Sequence, residues 1–386
     1  PSTPERARSS SASAGRRRTS AASARCGPSP HRPGSAGSGS WSVETQQTKM
    51  IRRLAPHGEH RLFLTATPHN GNRSSFAALL ELLDPQRFTR GAEPNPETLA
   101  EVMVRRVKDD IRNEDGSPRF TQRVTERIEV GYSDIDKEGH RLLTEYVKAR
   151  RSSGGARQST AVDMVALLLK KRLFSSPKAF ADTLAVHVES VHQAASATRD
   201  DDEVPEWLWE QADAVEDDYA TEDDKAKAEE LLLDATGAVM GAPDTAQHDA
   251  LAALRRWAKQ HGSSPDAKAL TLMNWLEATL KPGGQWTDER VVLFTEYRAT
   301  QTWLADLLTA RELGGDRLRL IYGGQDEVER QQIKDAFQAP PDRDPVRILL
   351  ATDAASEGID LQRHCHRMVL IDIPFNPNRL EQRIGR

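Results

Sequence analysis

The chain has little of several features that would each point to a class of protein. Its 386 residues include two cysteines, Cys26 and Cys365, which are too few for a disulfide framework. No apolar run reaches the roughly 18 residues that a membrane-spanning helix needs. With 29% charged and 37% hydrophobic residues, the composition predicts a cytoplasmic globular protein with room for two or three domains and no membrane partner.

Residues 1–40 lack Val, Ile, Leu, Met and every aromatic residue, and they carry seven arginines against the single Glu5. Such a segment cannot bury enough apolar surface to offset its ordering entropy, so a disordered low-complexity tail is predicted. A transit peptide is an alternative, although the apolar face of a targeting helix is missing. A spurious start in GC-rich DNA, joined to a genuine reading frame, is another.

Residues 41–131 show an α/β pattern. Apolar periodicity predicts helices over residues 46–54, from Ser74 or Ser75 onward, and over 96–104. Short apolar or alternating runs predict strands over 61–65 and 123–130. This part is interpreted as the end of a parallel-sheet domain.

Residues 132–280 are predicted to be mostly helical. Fifteen carboxylates and three basic residues lie within 199–230, and this acidic segment is interpreted as a solvated insertion. Its Trp207-Leu208-Trp209 sequence is typical of an amphipathic helix that packs on its neighbours, and a partner-docking peptide is the alternative.

Residues 281–386 alternate between apolar strands and amphipathic helices. Strands are predicted over 291–295, 318–322, 346–351 and 368–373, with helices over 300–308 and 327–337. Continuous apolar strands of this kind favour a parallel sheet covered on both faces. His364 and His366 flank Cys365, but adjacent side chains of an extended chain point to opposite sides, so no metal site is predicted.

Polar motifs follow several of these strands. Thr65-Ala66-Thr67-Pro68 and Ala351-Thr352-Asp353 place hydroxyls at the carboxyl ends of strands, where open α/β sheets bind ligands. Gly358-Ile359-Asp360 follows the second of them, and Gln382-Arg383-Ile384-Gly385-Arg386 ends the chain. A rigid, permanently charged guanidinium is suited to the charge that develops on a transferring phosphoryl group.

Together with Phe294-Thr295-Glu296-Tyr297 and Tyr322-Gly323-Gly324, these motifs resemble motifs III to VI of superfamily-two helicases, in the Swi/Snf-type branch. The segments Phe120-Thr121-Gln122-Arg123 and Lys171-Arg172-Leu173-Phe174-Ser175-Ser176 are similar to bacterial phage-defence (DISARM-type) or polymerase-recycling ATPases. The resemblance implies an α/β fold with RecA-like parallel sheets: a C-terminal motor lobe, the end of an N-terminal lobe, and a helical insertion between them.

The resemblance also implies residue roles in ATP hydrolysis coupled to movement on DNA. It makes Arg386 an arginine finger, with Arg383 and Gln382 as further catalytic residues. It assigns Gly358 and Asp360 to nucleotide binding, and Thr65, Thr67 and Thr352 to coupling with nucleic acid. DNA is the implied partner, together with defence-system or polymerase proteins, and ATP with Mg²⁺ is the implied cofactor.

The 386 residues contain neither a GxxxxGK[ST] phosphate loop nor an apolar strand that ends in an acidic box. The ligands for Mg²⁺ are therefore not expected in this chain, which is interpreted as a fragment truncated at both ends and inactive alone. Two other interpretations stay open. One is a non-hydrolysing nucleic-acid-binding or scaffold module, and the other is a broken gene product that does not fold fully.

Overall fold

A computed structural model describes residues 46–65, 73–89, 92–152, 156–194, 222–353, 363–374 and 377–384. The predicted tail, residues 1–40, lies outside these ranges, as does the Trp207-Leu208-Trp209 sequence. Across the described ranges, no helix is both long and apolar enough to cross a membrane.

The first part of the described chain contains three short helices: α1 (Gln46–Leu54), α2 (Arg73–Leu83) and α3 (Pro96–Val102). Asn95 caps α3, because its side chain accepts a hydrogen bond from the amide of Glu97 at 2.9 Å. Helix α2 buries Leu80 and Leu82. All three helices agree with the apolar periodicity of the sequence.

Both strands predicted in this part are wrong. Residues 61–65 and 123–130 pair with no other strand in the described chain. The apolar side chains of Leu62 and Leu64 are 80% and 86% exposed, and that of Val124 is 77% exposed. A strand is stabilised by a neighbour that completes its hydrogen bonds and covers its side chains, and neither segment has such a neighbour among the described residues.

The middle of the chain is a helical layer, as predicted. Its described helices are α4 (Asp134–Ser152), α5 (Ala156–Ser175), α6 (Pro177–Ala194), α7 (Glu222–Met240) and α8 (Thr245–His261). They share one apolar core in which Leu169, Phe180 and Leu254 are fully buried. Pro177 at the first turn of α6 and the Asp244 cap of α8 define where these helices begin.

The acidic segment is only partly described, and one charged residue at its described end departs from the predicted solvated insertion. Residues 222–230 open helix α7. Glu229 is 5% exposed and forms an ion pair with Arg172 of α5, which is itself 9% exposed. A charge can be buried here because its counter-charge is buried with it.

The last part is a four-stranded parallel sheet with helices. In chain order its elements are α9 (Ala267–Leu280), β1 (Val291–Thr295), α10 (Arg298–Ala310), β2 (Leu318–Ile321), α11 (Glu327–Gln338), β3 (Ile348–Thr352), β4 (Arg367–Leu370) and α12 (Pro377–Ile384). The strand order is β2-β3-β1-β4, with all pairs parallel. The predicted α/β class, with a parallel sheet, is confirmed.

Both faces of the sheet are covered. Alternate residues of β1 point to opposite sides, so Val291 and Leu293 pack with α9 and α10, whereas Val292 and Phe294 pack with α11. Every residue of β1 and β3 is buried, which explains why these strands are apolar throughout. Helix α9 belongs to the core of the sheet, although it lies before residue 281, where the sequence places the start of this domain.

Candidate functional site

Polar side chains meet at the carboxyl edge of the sheet. β1 ends at Thr295 and β3 at Thr352, and these two residues lie side by side in the parallel register. Asp353 follows β3, and Asp372 lies two residues beyond β4. Helix α12 adds Arg383 to the same edge. In open α/β sheets this edge is where ligands bind.

Arg383 is fully buried between two carboxylates. Its Nη2 donates to Asp353 Oδ2 at 2.7 Å, its Nε also contacts Asp353, and its Nη1 donates to the main-chain carbonyl of Asp372 at 2.6 Å. Burial alone would lower the pKa of Arg383, but the hydrogen bond and charge of Asp353 outweigh burial and raise it. Arg383 therefore holds α12 to the ends of β3 and β4.

Asp372 is the acceptor at the centre of this edge. Its Oδ2 accepts from Thr295 Oγ1 at 2.8 Å and from Ser175 Oγ at 2.7 Å, and its Oδ1 accepts from the amide of Glu296 at 2.7 Å. Arg383 Nη2 lies 3.6 Å from Oδ1. Burial raises the pKa of Asp372, and the positive charges of Arg383 and Lys268 oppose this shift.

Thr352 differs from its neighbours because its hydroxyl has no partner among the described residues. The residue is fully buried, and Oγ1 makes no hydrogen bond within the part of the chain that the structure describes. A buried hydroxyl without a partner costs about 1–3 kcal/mol, so it needs an explanation. The Thr352 hydroxyl lies at the edge of the sheet where ligands bind, and it could donate a hydrogen bond to a phosphate oxygen there. Such a bond would explain why the cost is tolerated.

The structure brings together part of the predicted site. Thr352 and Arg383 meet through Asp353, which follows Thr352 and pairs with Arg383. Gln382 lies in helix α12. Thr65 is exposed at the end of residues 61–65. The predictions for Thr67, Gly358, Asp360 and Arg386 fall outside the described residues.

Several polar residues at this edge were missed by sequence reasoning. Ser175 and Ser176 join α5 to α6, and each bonds to Thr300 of α10, at 2.7 and 2.8 Å. Lys268 of α9 donates to three main-chain carbonyl oxygens there. The sequence signal for the serines was the segment over residues 171–176, which carries part of the family resemblance. Lys268 gives no signal, because one lysine on an amphipathic helix is ordinary.

The described residues fit a phosphate group better than a metal ion. Asp353 and Asp372 are occupied by Arg383 and by hydroxyl or amide donors. No group of three His, Cys, Asp or Glu side chains within the described ranges is placed to hold a metal ion. Cys365 is buried, and its thiol donates to the carbonyl oxygens of Arg290 and Arg367. Burial raises the pKa of this thiol to about 11.

Comparison with known proteins shows what the C-terminal part of the chain is similar to. Residues 272–386 match the family model of the helicase conserved C-terminal domain. The uncharacterized ATP-dependent helicase YqhH of Bacillus subtilis is 42% identical over 99 residues, which are 26% of this chain and 16% of that protein. The RNA polymerase-associated protein RapA of Yersinia pestis is 25% identical over 356 residues, which are 90% of this chain and 32% of RapA.

The chain thus spans about a third or less of the curated relatives that it matches. Among solved structures, the helicase domain of Pyrococcus furiosus Hef covers 66% of this chain at 15% identity, with 50% of that chain covered and a TM-score of 0.36. A TM-score this low adds nothing to the assignment. Residues 272–386 therefore carry the helicase conserved C-terminal domain, and these matches agree with the resemblance of the motifs to superfamily-two helicases of the Swi/Snf-type branch.

Proposed function

We propose that this chain is part of an ATP-dependent DNA helicase or translocase. Residues 281–386 are its second motor lobe, 132–280 its helical insertion and 41–131 the end of its first lobe. The observation that carries the proposal is the buried, unpartnered hydroxyl of Thr352 at the carboxyl edge of a sheet that belongs to a helicase domain. Such a donor gains a partner when a phosphate reaches that edge.

Within this proposal, ATP supplies the phosphoryl group whose hydrolysis drives movement on nucleic acid. Arg386 neutralises charge on that group, and Gln382 and Arg383 support the site in which Arg386 acts. Gly358 and Asp360 contact the nucleotide. Thr352 contacts the strand backbone, as the resemblance implies, and Thr65 and Thr67 transmit the state of the nucleotide. The ligands for Mg²⁺ are expected from residues beyond these 386.

The partner and the setting are also proposals. DNA is the expected track, and the family assignment supports nucleic-acid binding. The name of the relative RapA supports a link to RNA polymerase, and the sequence segments support phage defence. Both settings are cytoplasmic.

The replacement Thr352→Val tests the role of this hydroxyl without disturbing a bond within the protein. Because Oγ1 has no partner, the free energy of unfolding should stay within about 1 kcal/mol of wild type or rise. Affinity for duplex DNA, measured by fluorescence anisotropy at low salt, should fall about tenfold, because a hydrogen bond to a charged phosphate is lost. Wild-type binding should weaken steeply between 50 and 200 mM salt, as phosphate contacts require.

Thr300→Val is the matched control. Its hydroxyl bonds to Ser175 and Ser176, so its loss should lower stability rather than weaken DNA contact directly. Equal DNA affinity of wild type and Thr352→Val, or binding that does not depend on salt, would contradict the proposal.

ATP hydrolysis by the 386-residue polypeptide should stay at background with or without DNA. DNA-stimulated turnover that Arg386→Ala abolishes would overturn that expectation.

A further inference from the structure

The helical insertion reaches the carboxyl edge of the sheet at the junction between α5 and α6. Ser175 and Ser176 form this junction, and both are fully buried. Thr300 of α10 lies 2.7 Å from the hydroxyl of Ser175 and 2.8 Å from that of Ser176. Of the two serines, Ser175 also reaches Asp372, with Oγ 2.7 Å from Oδ2.

The direction of these hydrogen bonds follows from proton counting. Each hydroxyl has one proton, and an ionised carboxylate can only accept. Ser175 therefore gives its proton to Asp372, Thr300 gives its proton to Ser175, and Ser176 gives its proton to Thr300. Ser176 Oγ in turn accepts from the amide of Ala179 at 3.0 Å, in the first turn of α6. A chain of directed hydrogen bonds thus runs from the start of α6 to Asp372.

Asp372 connects this chain to the arginine of the last helix. Arg383 Nη2 lies 3.6 Å from Asp372 Oδ1, and Arg383 Nη1 donates to the main-chain oxygen of the same residue. One residue of the sheet domain is therefore shared by the insertion and by α12. Movement of Ser175 shifts the acceptor against which Arg383 is held.

Two further contacts fix the junction on the edge. Lys268 Nζ donates to the carbonyl oxygens of Phe174 and Ser175 at 2.6 Å each, and to that of Ile371, next to Asp372, at 3.3 Å. The guanidinium of Arg172 lies 3.7 Å from the ring centroid of Tyr297, the last residue of the Phe294-Thr295-Glu296-Tyr297 motif. Hydrogen bonds and ring stacking are directional, so this interface has one defined arrangement, unlike an apolar contact that can slide.

We propose that Ser175 is a positioning residue, through which the helical insertion sets the position of Asp372 and, through Asp372, of Arg383 and helix α12. The consequence for catalysis rests on the proposed function, because α12 carries Gln382 and Arg383 of the motif that ends the chain. A force on the insertion, from DNA or from a partner, then changes the alignment of helix α12.

Hydrogen exchange of the amides in α12 tests this proposal in the 386-residue chain without nucleotide or DNA. Ser175→Ala and Asp372→Asn should each speed exchange in α12 about five- to tenfold, because one hydrogen bond to a charged group is lost. Ser176→Ala is the matched control: it removes the cap of α6 and one bond to Thr300 but keeps the bond from Ser175 to Asp372. It should speed exchange in α6 and leave α12 as in wild type. A purely structural role for Ser175 would not produce this difference between neighbouring serines.

Unchanged exchange in α12 of Ser175→Ala, or an equal increase in both serine variants, overturns the proposal. If Ser175→Ala does not fold, Ser175→Cys gives the same test, since a thiol of similar size is a weaker donor. The outcome is separate from that of the proposed function. Unaltered DNA affinity of Thr352→Val would remove the proposed function while leaving an exchange result in α12 intact.

Discussion

Buried arginines in this chain have different partners, and the partners limit what each arginine can do. Arg383 is held by the carboxylate of Asp353 and by Asp372, so its guanidinium is already occupied. Arg150 of α4 instead donates to neutral acceptors: Gln247 Oε1 at 2.7 Å, and the main-chain oxygens of Met240 and Gly241. Arg383 is thus an anchor of helix α12 at the edge of the sheet, which leaves the role of arginine finger to the proposal for Arg386.

Sequence reasoning at the residue scale succeeded where position along a strand was enough. Thr352 was assigned to the ligand edge because it ends an apolar strand, and the structure places it there. The partners of Arg383 were not predictable, because Asp353 and Asp372 are 30 and 11 residues away in the chain. Which carboxylate pairs with an arginine depends on strand order, and a single sequence does not contain that order.

A buried histidine in the helical layer gives a pH-dependent prediction. His187 Nε2 lies 2.7 Å from the hydroxyl of Tyr146, and Nδ1 has no partner. Burial, with a smaller effect from the charge of Arg150, lowers the pKa of His187 to about 3, whereas an unfolded chain has a value of about 6.5. Between these values the unfolded state binds more protons, so the free energy of unfolding must fall as the pH falls below about 6.5.

The measurement is urea unfolding at pH 7 and pH 5, for wild type and for Tyr146→Phe combined with His187→Phe. The two proteins share all other titrating groups, so the difference between their pH profiles isolates His187. Wild type should lose about 2 kcal/mol more than the double variant over this range. Parallel profiles would mean that His187 is protonated in the fold, or that it is not buried.

At the scale of elements, the apolar pattern of the sequence correctly predicted those strands that are paired with other strands in the sheet. Strands β1 and β3 were predicted from continuous apolar runs, and each is buried along its whole length between other strands. Residues 61–65 have a similar apolar run but pair with no strand in the part of the chain that the structure describes. The difference lies in the neighbours, since local propensity in a strand depends on the surface that covers it.

Close packing of two helices predicts the effect of one added methyl group. A Cβ atom on Gly139 of α4 would lie 2.5 to 2.8 Å from ring atoms of Trp257 in α8. The ring has no room to retreat, because Trp257 Nε1 donates to the carbonyl oxygen of Ile135 at 3.1 Å and the ring packs edge-on against Phe180. Helix propensity favours Ala over Gly by about 1 kcal/mol, but overpacking costs about 1–3 kcal/mol.

Gly139→Ala should therefore lower the free energy of unfolding by up to about 2 kcal/mol in urea titrations. Gly131→Ala is the control, because a Cβ there meets nothing within 4 Å, and its effect should stay within about 0.5 kcal/mol. A Gly139→Ala variant that is more stable than wild type would show that α8 can move away from α4.

For the whole molecule, the main question is how the helical layer and the sheet are joined. Their apolar cores are separate clusters, and the contacts described between them at the α5–α6 junction are largely polar. The helical content of the insertion was predictable from apolar periodicity. The joint was not, because Ser175, Thr300 and Asp372 are up to 197 residues apart in the chain.

The replacement Lys268→Met tests whether this joint makes the two parts unfold together. Lys268 Nζ donates to three main-chain carbonyl oxygens, those of Phe174, Ser175 and Ile371, and so joins the α5–α6 junction to the residue that follows β4. A methionine has similar length and no donor, so about 3 kcal/mol or more should be lost. Wild type should show one calorimetric transition with equal van't Hoff and calorimetric enthalpies. Lys268→Met should show two resolved transitions, since the cores of the helical layer and the sheet then melt separately.

Lys178→Met is the control, because its ion pair with Asp182 is exposed within α6 and worth at most about 1 kcal/mol. A single, merely lowered transition in Lys268→Met would mean that apolar contacts alone couple the two parts, and that the polar joint adds stability without adding cooperativity.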